Sequence, residues 1–181
     1  SRGPTPLDPD APGAVVFTSG TTAVPRGVVL THGALLASAR AWDTFLDSGP
    51  HDNWLSTLSM AHVAGLGMAL RPLLSGARLT VHDRFDAQAV RTALTRDGVT
   101  LASLVPIQLA RLLEGGPLPA GALRALLVGG GPVSGDLVRN ALAVGVPIVA
   151  TYGLTEAASG VTALPVAEAA VAPGSSGRPL P

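Results

Sequence analysis

Three short stretches of this chain carry residue types whose spacing suits the handling of a polyanion. The first, Val15 to Val29, reads VVFTSGTTAVPRGVV. Gly20 lets the backbone come close to a charged group, the hydroxyls of Thr18, Ser19, Thr21 and Thr22 donate hydrogen bonds, and Arg26 adds a fixed positive charge. This is not the GxxxxGKS/T phosphate loop. No Lys-Ser or Lys-Thr pair follows its glycines, and a short extended run rather than a helix comes next. The second stretch, LLVGGGPVSGDL from Leu126 to Leu137, places Gly129, Gly130 and Gly131 after a strand-like run. Three bare glycines allow a flat ring to lie against backbone N–H and C=O groups; the same residues also suit a tight strand-to-helix turn capped by Ser134. The third, ATYGLTEAASG, holds Tyr152, the only tyrosine of the chain, beside Gly153. Such an aromatic can stack on a purine, while Thr155 and Glu156 offer a hydroxyl and a carboxylate to phosphate and Mg²⁺.

Composition narrows the classes. With 181 residues and 47% hydrophobic content, the chain is long enough for one domain with a real core. Twelve basic and twelve acidic side chains cancel, and no basic run tracks a phosphate backbone, so general nucleic-acid binding is disfavoured. The absence of cysteine excludes disulfides, thiolate metal sites and cysteine nucleophiles. No apolar run reaches the roughly 18 residues of a membrane span, and no signal peptide opens the sequence, which makes a reducing cytoplasm the default setting.

The elements that must position these loops alternate along the chain. Strands are expected at Ala14–Phe17, Trp54–Leu58, Arg78–His82, Thr100–Val105, Arg124–Val128 and Pro147–Thr151. Helices are expected from a Thr31 cap through Asp47, over Gly65–Leu74, from an Asp86 cap through Arg96, and over Ile107–Leu113 and Gly135–Ala143. Such alternation predicts an α/β fold with a largely parallel sheet covered by helices. Ligands in these sheets gather outside the carboxyl ends of the strands, where all three loops are expected to meet. Residues 1–13 read as a leading linker, 14–164 as the core, and 165–181, rich in Pro, Gly, Ser and Ala, as a connecting segment.

The order Ser-Gly-Thr-Thr followed by Pro-Arg-Gly-Val resembles the signature loop of the adenylate-forming enzymes: acyl-CoA and aryl-CoA ligases, luciferases and peptide-synthetase adenylation domains. Their loop usually reads S/T-S-G-T-T-G-x-P-K-G-V and wraps the phosphates of ATP. Here Ala23 replaces the last glycine and Arg26 the lysine. The resemblance implies that Thr18, Ser19, Gly20, Thr21, Thr22 and Arg26 hold phosphate, and that Gly129, Gly130, Gly131 and Pro132 form the adenine pocket. It further implies that Tyr152 and Gly153 flank the adenine, that Thr155 meets phosphate, and that Glu156 holds Mg²⁺. Arg26, Thr155 and Glu156 would then stabilise charge developing on the phosphates, and no side chain need be a covalent nucleophile. The implied substrates are a small carboxylic acid, ATP and coenzyme A. Nothing speaks to oligomeric state.

Between the first two loops lies WLSTLSMAHVAGLGMALRPLLSGARLTVHDRF. His62 before a glycine-rich helix start, with Arg71 nine residues on, is similar to the o-succinylbenzoate–CoA ligases of menaquinone synthesis. Such an acid has two carboxylates; one is activated and the other needs a cation in a mostly apolar pocket, for which Arg71 is the candidate. On one ideal helix nine residues amount to about 180° of rotation, so His62 and Arg71 share a site only if the helix starts after His62. The plainer alternatives are a structural histidine and a surface arginine lying along apolar groups. Asp83 and Asp86 read as turn and cap residues. The resemblance runs from Ala14 to Pro181 and implies a central part of a longer enzyme. Two other readings stay open: a ligase for a different acid, and a non-catalytic nucleotide-binding fragment.

Overall fold

The computed structural model describes residues 6–18, 25–118 and 121–181. Its elements in chain order are β1 (Pro12–Thr18), β2 (Arg26–Thr31), α1 (His32–Leu46), β3 (Asn53–Ser56), α2 (Val63–Ser75), β4 (Arg78–Val81), α3 (Ala87–Arg96) and β5 (Leu101–Leu104). Then follow α4 (Pro106–Glu114), β6 (Ala125–Val128), α5 (Gly135–Ala143), β7 (Ile148–Leu154), β8 (Ser159–Ala163) and β9 (Arg178–Pro179). Caps set the helix starts as the sequence suggests. Thr31 Oγ1 accepts from Ala34 N at 3.2 Å, Asp86 Oδ1 from Ala89 N at 2.8 Å, and Ser134 Oγ from Leu137 N at 3.2 Å. At the other end of α1, Asp47 turns left-handed with φ 48° and closes the helix through its N–H to Asp43 O.

The main sheet has seven strands in the order β4-β3-β5-β6-β7-β8-β9. Strands β4 to β7 run parallel, and β8 and β9 are added antiparallel at one edge. The expected α/β fold with a largely parallel, helix-covered sheet is therefore the observed one. Because strand side chains alternate, β3, β5, β6 and β7 feed two cores. On one face Leu55, Ala102, Leu104, Leu126, Val128, Ile148 and Ala150 pack with Val90, Leu109 and Val138 of α3, α4 and α5. On the other, Trp54, Leu101, Leu127 and Val149 pack with Trp42, Leu46 and Met68 of α1 and α2.

Three expectations are corrected. β1 does not join the parallel sheet. It pairs antiparallel with β2, the extended run after the first loop, because Val16, Val28 and Leu30 bury the hairpin against Ala158, Leu35 and Val63 instead. The TYGLTE segment is not all loop: β7 runs on to Leu154 and pairs with β8, with Thr151 Oγ1 donating to Thr162 O at 2.8 Å. Residues 165–181, expected as an aperiodic connection, close the sheet edge through β9, bury Ala169, and tie Arg178 to Glu168 at 3.1 Å.

One buried charge locks the far end of the sheet. Asp52 is fully buried in the turn between α1 and β3 and takes a forked pair from Arg124, Nε to Oδ1 at 2.8 Å and Nη2 to Oδ2 at 2.7 Å. Thr100 Oγ1 and Gly49 N complete its shell at 2.6 and 3.0 Å. Burial alone would raise this carboxyl, but Arg124, Thr100 and the Gly49 N–H outweigh it and hold the pKa at about 2. The resulting stability is present above the ordinary carboxylate range and disappears as pH falls through about 2. Asp52→Asn should cost about 3 kcal/mol, the low end for a broken buried pair because Arg124 keeps some solvent. Urea unfolding at pH 7 measures the loss, and the gap between variant and parent should narrow as the pH approaches 2.

Candidate active site

A cavity of about 450 Å³ opens at the carboxyl ends of β5, β6 and β7. Ser103 at the end of β5 and Val105 after it, Gly129 and Gly130 after β6, and Thr151, Gly153 and Thr155 along and beyond β7 form one side. Ser59, His62 and Val63 at the start of α2 form the other, with Trp42, Arg71, Ser159 and Gly160 as the inner wall. The helix start decides the geometry. A Cβ on Gly65 would lie 2.1 Å from Ser59 O, so only glycine allows the turn before α2 to fold onto its first residues. His62 is consequently the N-cap with extended backbone (φ −108°, ψ 147°), and α2 begins at Val63. His62 and Arg71 both line the cavity, as the late helix start requires.

Arg71 is the electrostatic centre of this wall. It is 3% exposed, its guanidinium carbon lies 4.6 Å from the centroid of Trp42 and 5.7 Å from that of Trp54. Nη2 donates to Ser159 Oγ at 3.2 Å, Nη1 meets Met68 Sδ at 3.7 Å, and Nε is buried without a partner. Gly67, one turn earlier, leaves the room: a Cβ there would sit 3.3 Å from Nη2. Among the described residues no carboxylate lies within ion-pair distance of Arg71. Burial lowers its pKa to about 9 and Asp43 pushes it back up, so it remains a cation at neutral pH. An unpaired buried cation is costly, and the two indole faces offset only part of that cost. An anion entering the cavity could reach this cation.

The other expected residues fall into three groups. Thr18 and Arg26 are register partners at the loop end of the hairpin, with Thr18 Oγ1 donating to Arg26 O at 3.4 Å and both side chains facing solvent or partly so. Ser19, Gly20, Thr21 and Thr22 lie outside the described residues, as does Ala23. Gly129, Gly130, Gly153 and Thr155 line the cavity, whereas Gly131, Pro132, Tyr152 and Glu156 are exposed and do not. Gly130 adopts φ 74°, and a Cβ on Gly129 would sit 2.7 Å from Thr151 Cγ2, so both glycines are demanded by the strand-to-helix turn itself. The hairpin core containing Ala158 brings the flanks of the first loop to the short helical turn Thr155–Ala157. Glu156 stands alone there, since no cluster of three metal-ligating side chains occurs among the described residues. That suits a Mg²⁺ held mostly by phosphate oxygens and water, with one carboxylate.

Sequence reasoning missed Trp42 as the plate beneath Arg71, Asp43 beside it, and Ser159. Trp42 falls at an apolar position of α1, which by itself marks a core residue and nothing more. Ser159 has φ 117° directly after Ala158 at φ 55°, two strained non-glycine residues in succession, and no residue type announces them.

With this geometry in place, the comparisons define the class. The chain belongs to the AMP-binding enzyme family, whose match covers residues 1–181. It is 36% identical over 168 residues, 92% of this chain, to the 2-succinylbenzoate–CoA ligase of Bacillus cereus strain Q1. It covers 35% of that protein, so the chain spans about a third of the length of the curated relatives it matches. The o-succinylbenzoate coenzyme A synthetase of Bacillus subtilis superposes with a TM-score of 0.90 in its AMP complex, at 33% identity over 96% of this chain and 36% of that one. That protein has also been solved with ATP and magnesium ion, and with the acyl-adenylate intermediate OSB-AMP at a TM-score of 0.91. The N-terminal domain of FACL13 from Mycobacterium tuberculosis matches at 0.84 with 31% identity, over 94% of this chain and 45% of that one.

Gly160→Ala tests the packing that supports Arg71. Its methyl would lie 2.5 Å from Cζ2 of the Trp42 ring, an overpacking expected to cost about 1–3 kcal/mol. Both tryptophans of the chain flank Arg71, so urea unfolding followed by tryptophan fluorescence reads the loss of stability and the displaced ring together.

Proposed function

We propose that this chain is the nucleotide- and acid-binding core of an acid–CoA ligase, and that its acid is o-succinylbenzoate. The observation that carries the reading is Arg71, a buried cation without a carboxylate partner in the wall of an otherwise largely apolar cavity. A dicarboxylic aryl acid places one carboxylate there and leaves the other toward the loops after β6 and β7. The likeness to 2-succinylbenzoate–CoA ligases supports the same acid. The setting proposed is cytoplasmic, with coenzyme A as co-substrate. Among the described residues no helix is long and apolar enough to cross a membrane.

In the reaction the free carboxylate attacks the α-phosphorus of ATP, releasing pyrophosphate and leaving an acyl-adenylate; the thiol of coenzyme A then displaces AMP. Thr18 and Arg26 at the loop end of the hairpin, with Ser19, Gly20, Thr21 and Thr22, bind the phosphates. Gly129 to Pro132 and Gly153 hold the adenine, with Tyr152 stacked on it. Thr155 donates to phosphate, and Glu156 holds Mg²⁺, which neutralises phosphate charge. His62 at the cavity mouth orients the carboxylate that reacts. Arg71 fixes the distal carboxylate and so aims the reacting one. Each residue binds or orients, and none forms a covalent bond.

Three binding measurements on the chain follow. Arg71→Ala should weaken o-succinylbenzoate about ten- to hundredfold, the loss of a charge-assisted hydrogen bond worth about 1.5–3 kcal/mol, and leave ATP unchanged. A monocarboxylic aryl acid should lose almost nothing by calorimetry; equal losses on both acids would contradict the role. Glu156→Gln should weaken ATP binding in the presence of Mg²⁺ but not in EDTA. Tyr152→Ala should weaken ATP by about 0.5–1.5 kcal/mol, and an unchanged affinity would remove the stacking role.

A further inference from the structure

We propose that Asp43 sets the charge balance of the Arg71 site, so that entry of a substrate carboxylate is coupled to uptake of one proton by Asp43. This rests on the reading of the cavity as a dicarboxylic acid site.

Asp43 follows Trp42 on α1, and the guanidinium of Arg71 lies over the Trp42 ring. Its Oδ1 is buried without a hydrogen-bond partner, as is Arg71 Nε, and the two side chains stay beyond ion-pair distance. Neither charge is neutralised by contact, but each acts on the other at a distance: Arg71 favours the ionised Asp43 and Asp43 favours the charged Arg71. Burial raises the Asp43 carboxyl to about 6, and Arg71 opposes that rise. The remaining charged groups around α1 do not substitute. Arg40, one turn earlier, and Asp47 are exposed, and Arg26 of β2 is exposed. Arg71 is the single charged residue of α2, and β1 and β8 carry none. Arg124 reaches the end of α1 at Leu46 O and Asp47 O but is already paired with Asp52.

When a carboxylate reaches Arg71, the cation is consumed. An ionised Asp43 would then leave two negative charges against one positive charge around a buried guanidinium and a half-buried carboxylate. Water supplies the remedy: Asp43 takes a proton from solvent, and the site returns to one anion and one cation. The coupling favours acids whose carboxylate reaches Arg71 and makes their binding weaken by up to about tenfold per pH unit above the free Asp43 pKa. A monocarboxylate that never reaches Arg71 escapes it.

Calorimetry of o-succinylbenzoate binding in buffers of different ionisation enthalpy counts the protons. The expected uptake is about 0.9 proton at pH 7 and about 0.1 at pH 5, for a group titrating near 6. Asp43→Asn, which mimics the protonated form, should bind the acid with no uptake at either pH. Uptake that persists in Asp43→Asn overturns the proposal, and its loss in His62→Gln would assign the proton to His62. A ¹³C carboxyl titration of Asp43 in the free chain needs neither acid nor that variant. It should show a midpoint near 6 that moves up in Arg71→Gln; an ordinary midpoint unmoved by that change overturns the coupling. Failure of Arg71→Ala to weaken the acid, with the Asp43 titration intact, would instead reject the cavity reading alone.

Discussion

The cation–indole stack of Arg71 on Trp42 organises the site, because a guanidinium can be buried there only if the surrounding elements are built for it. Gly160 lets the ring lie against β8, Gly67 clears the space beside Nη2, and Ser159 supplies the one strong acceptor. Gly65 sets where α2 begins and hence brings His62 to the same cavity. Gly67 and Ser159 thus answer to the guanidinium itself, Gly160 to its indole plate, and Gly65 to the turn that starts α2. The energetic logic is that of preorganisation: the desolvation of Arg71 is met during folding, so an arriving carboxylate meets a fixed, dry partner.

The two arginines at the site differ accordingly. Arg26 is exposed at the loop end of a hairpin, and in the proposed function it would meet a strongly charged polyphosphate that brings its own counterion. Arg71 is enclosed, and there it would meet one carboxylate at one position. Between them the ends of β6 and β7 supply backbone and a hydroxyl, where a nucleotide joined to an acyl group would bridge the two. In the proposed function, a solvated end beside the loop and a dry end at Arg71 would let charge leave as pyrophosphate while the acyl group stays sequestered.

The repeating architecture was legible because buried parallel strands are apolar runs and their helices carry side-chain caps at Thr31, Asp86 and Ser134. The antiparallel additions were not. β8 has a serine, two glycine or alanine positions and a threonine, and β9 has two residues, so neither shows a period. β1 read correctly as a strand, but nothing local says which sheet a strand joins; the partner β2 lies beyond a loop and was seen only as an extended run. At the site, the glycines and Arg71 were legible by type. Trp42, Asp43 and Ser159 were not, since their contribution exists only when α1, α2 and β8 meet. Tyr152, legible by type, stands exposed beside the cavity rather than in its wall.

The central claim is that the Arg71 guanidinium is charged, buried and waiting for a carboxylate. Its ¹⁵Nε and ¹⁵Nη resonances in the folded chain test this most directly during a titration with o-succinylbenzoate. The account predicts one slowly exchanging guanidinium whose Nε–H and Nη signals shift and separate as the acid saturates, with no such change on adding benzoate. Arginine signals that stay degenerate and in fast exchange with water, unmoved by the acid, would contradict it.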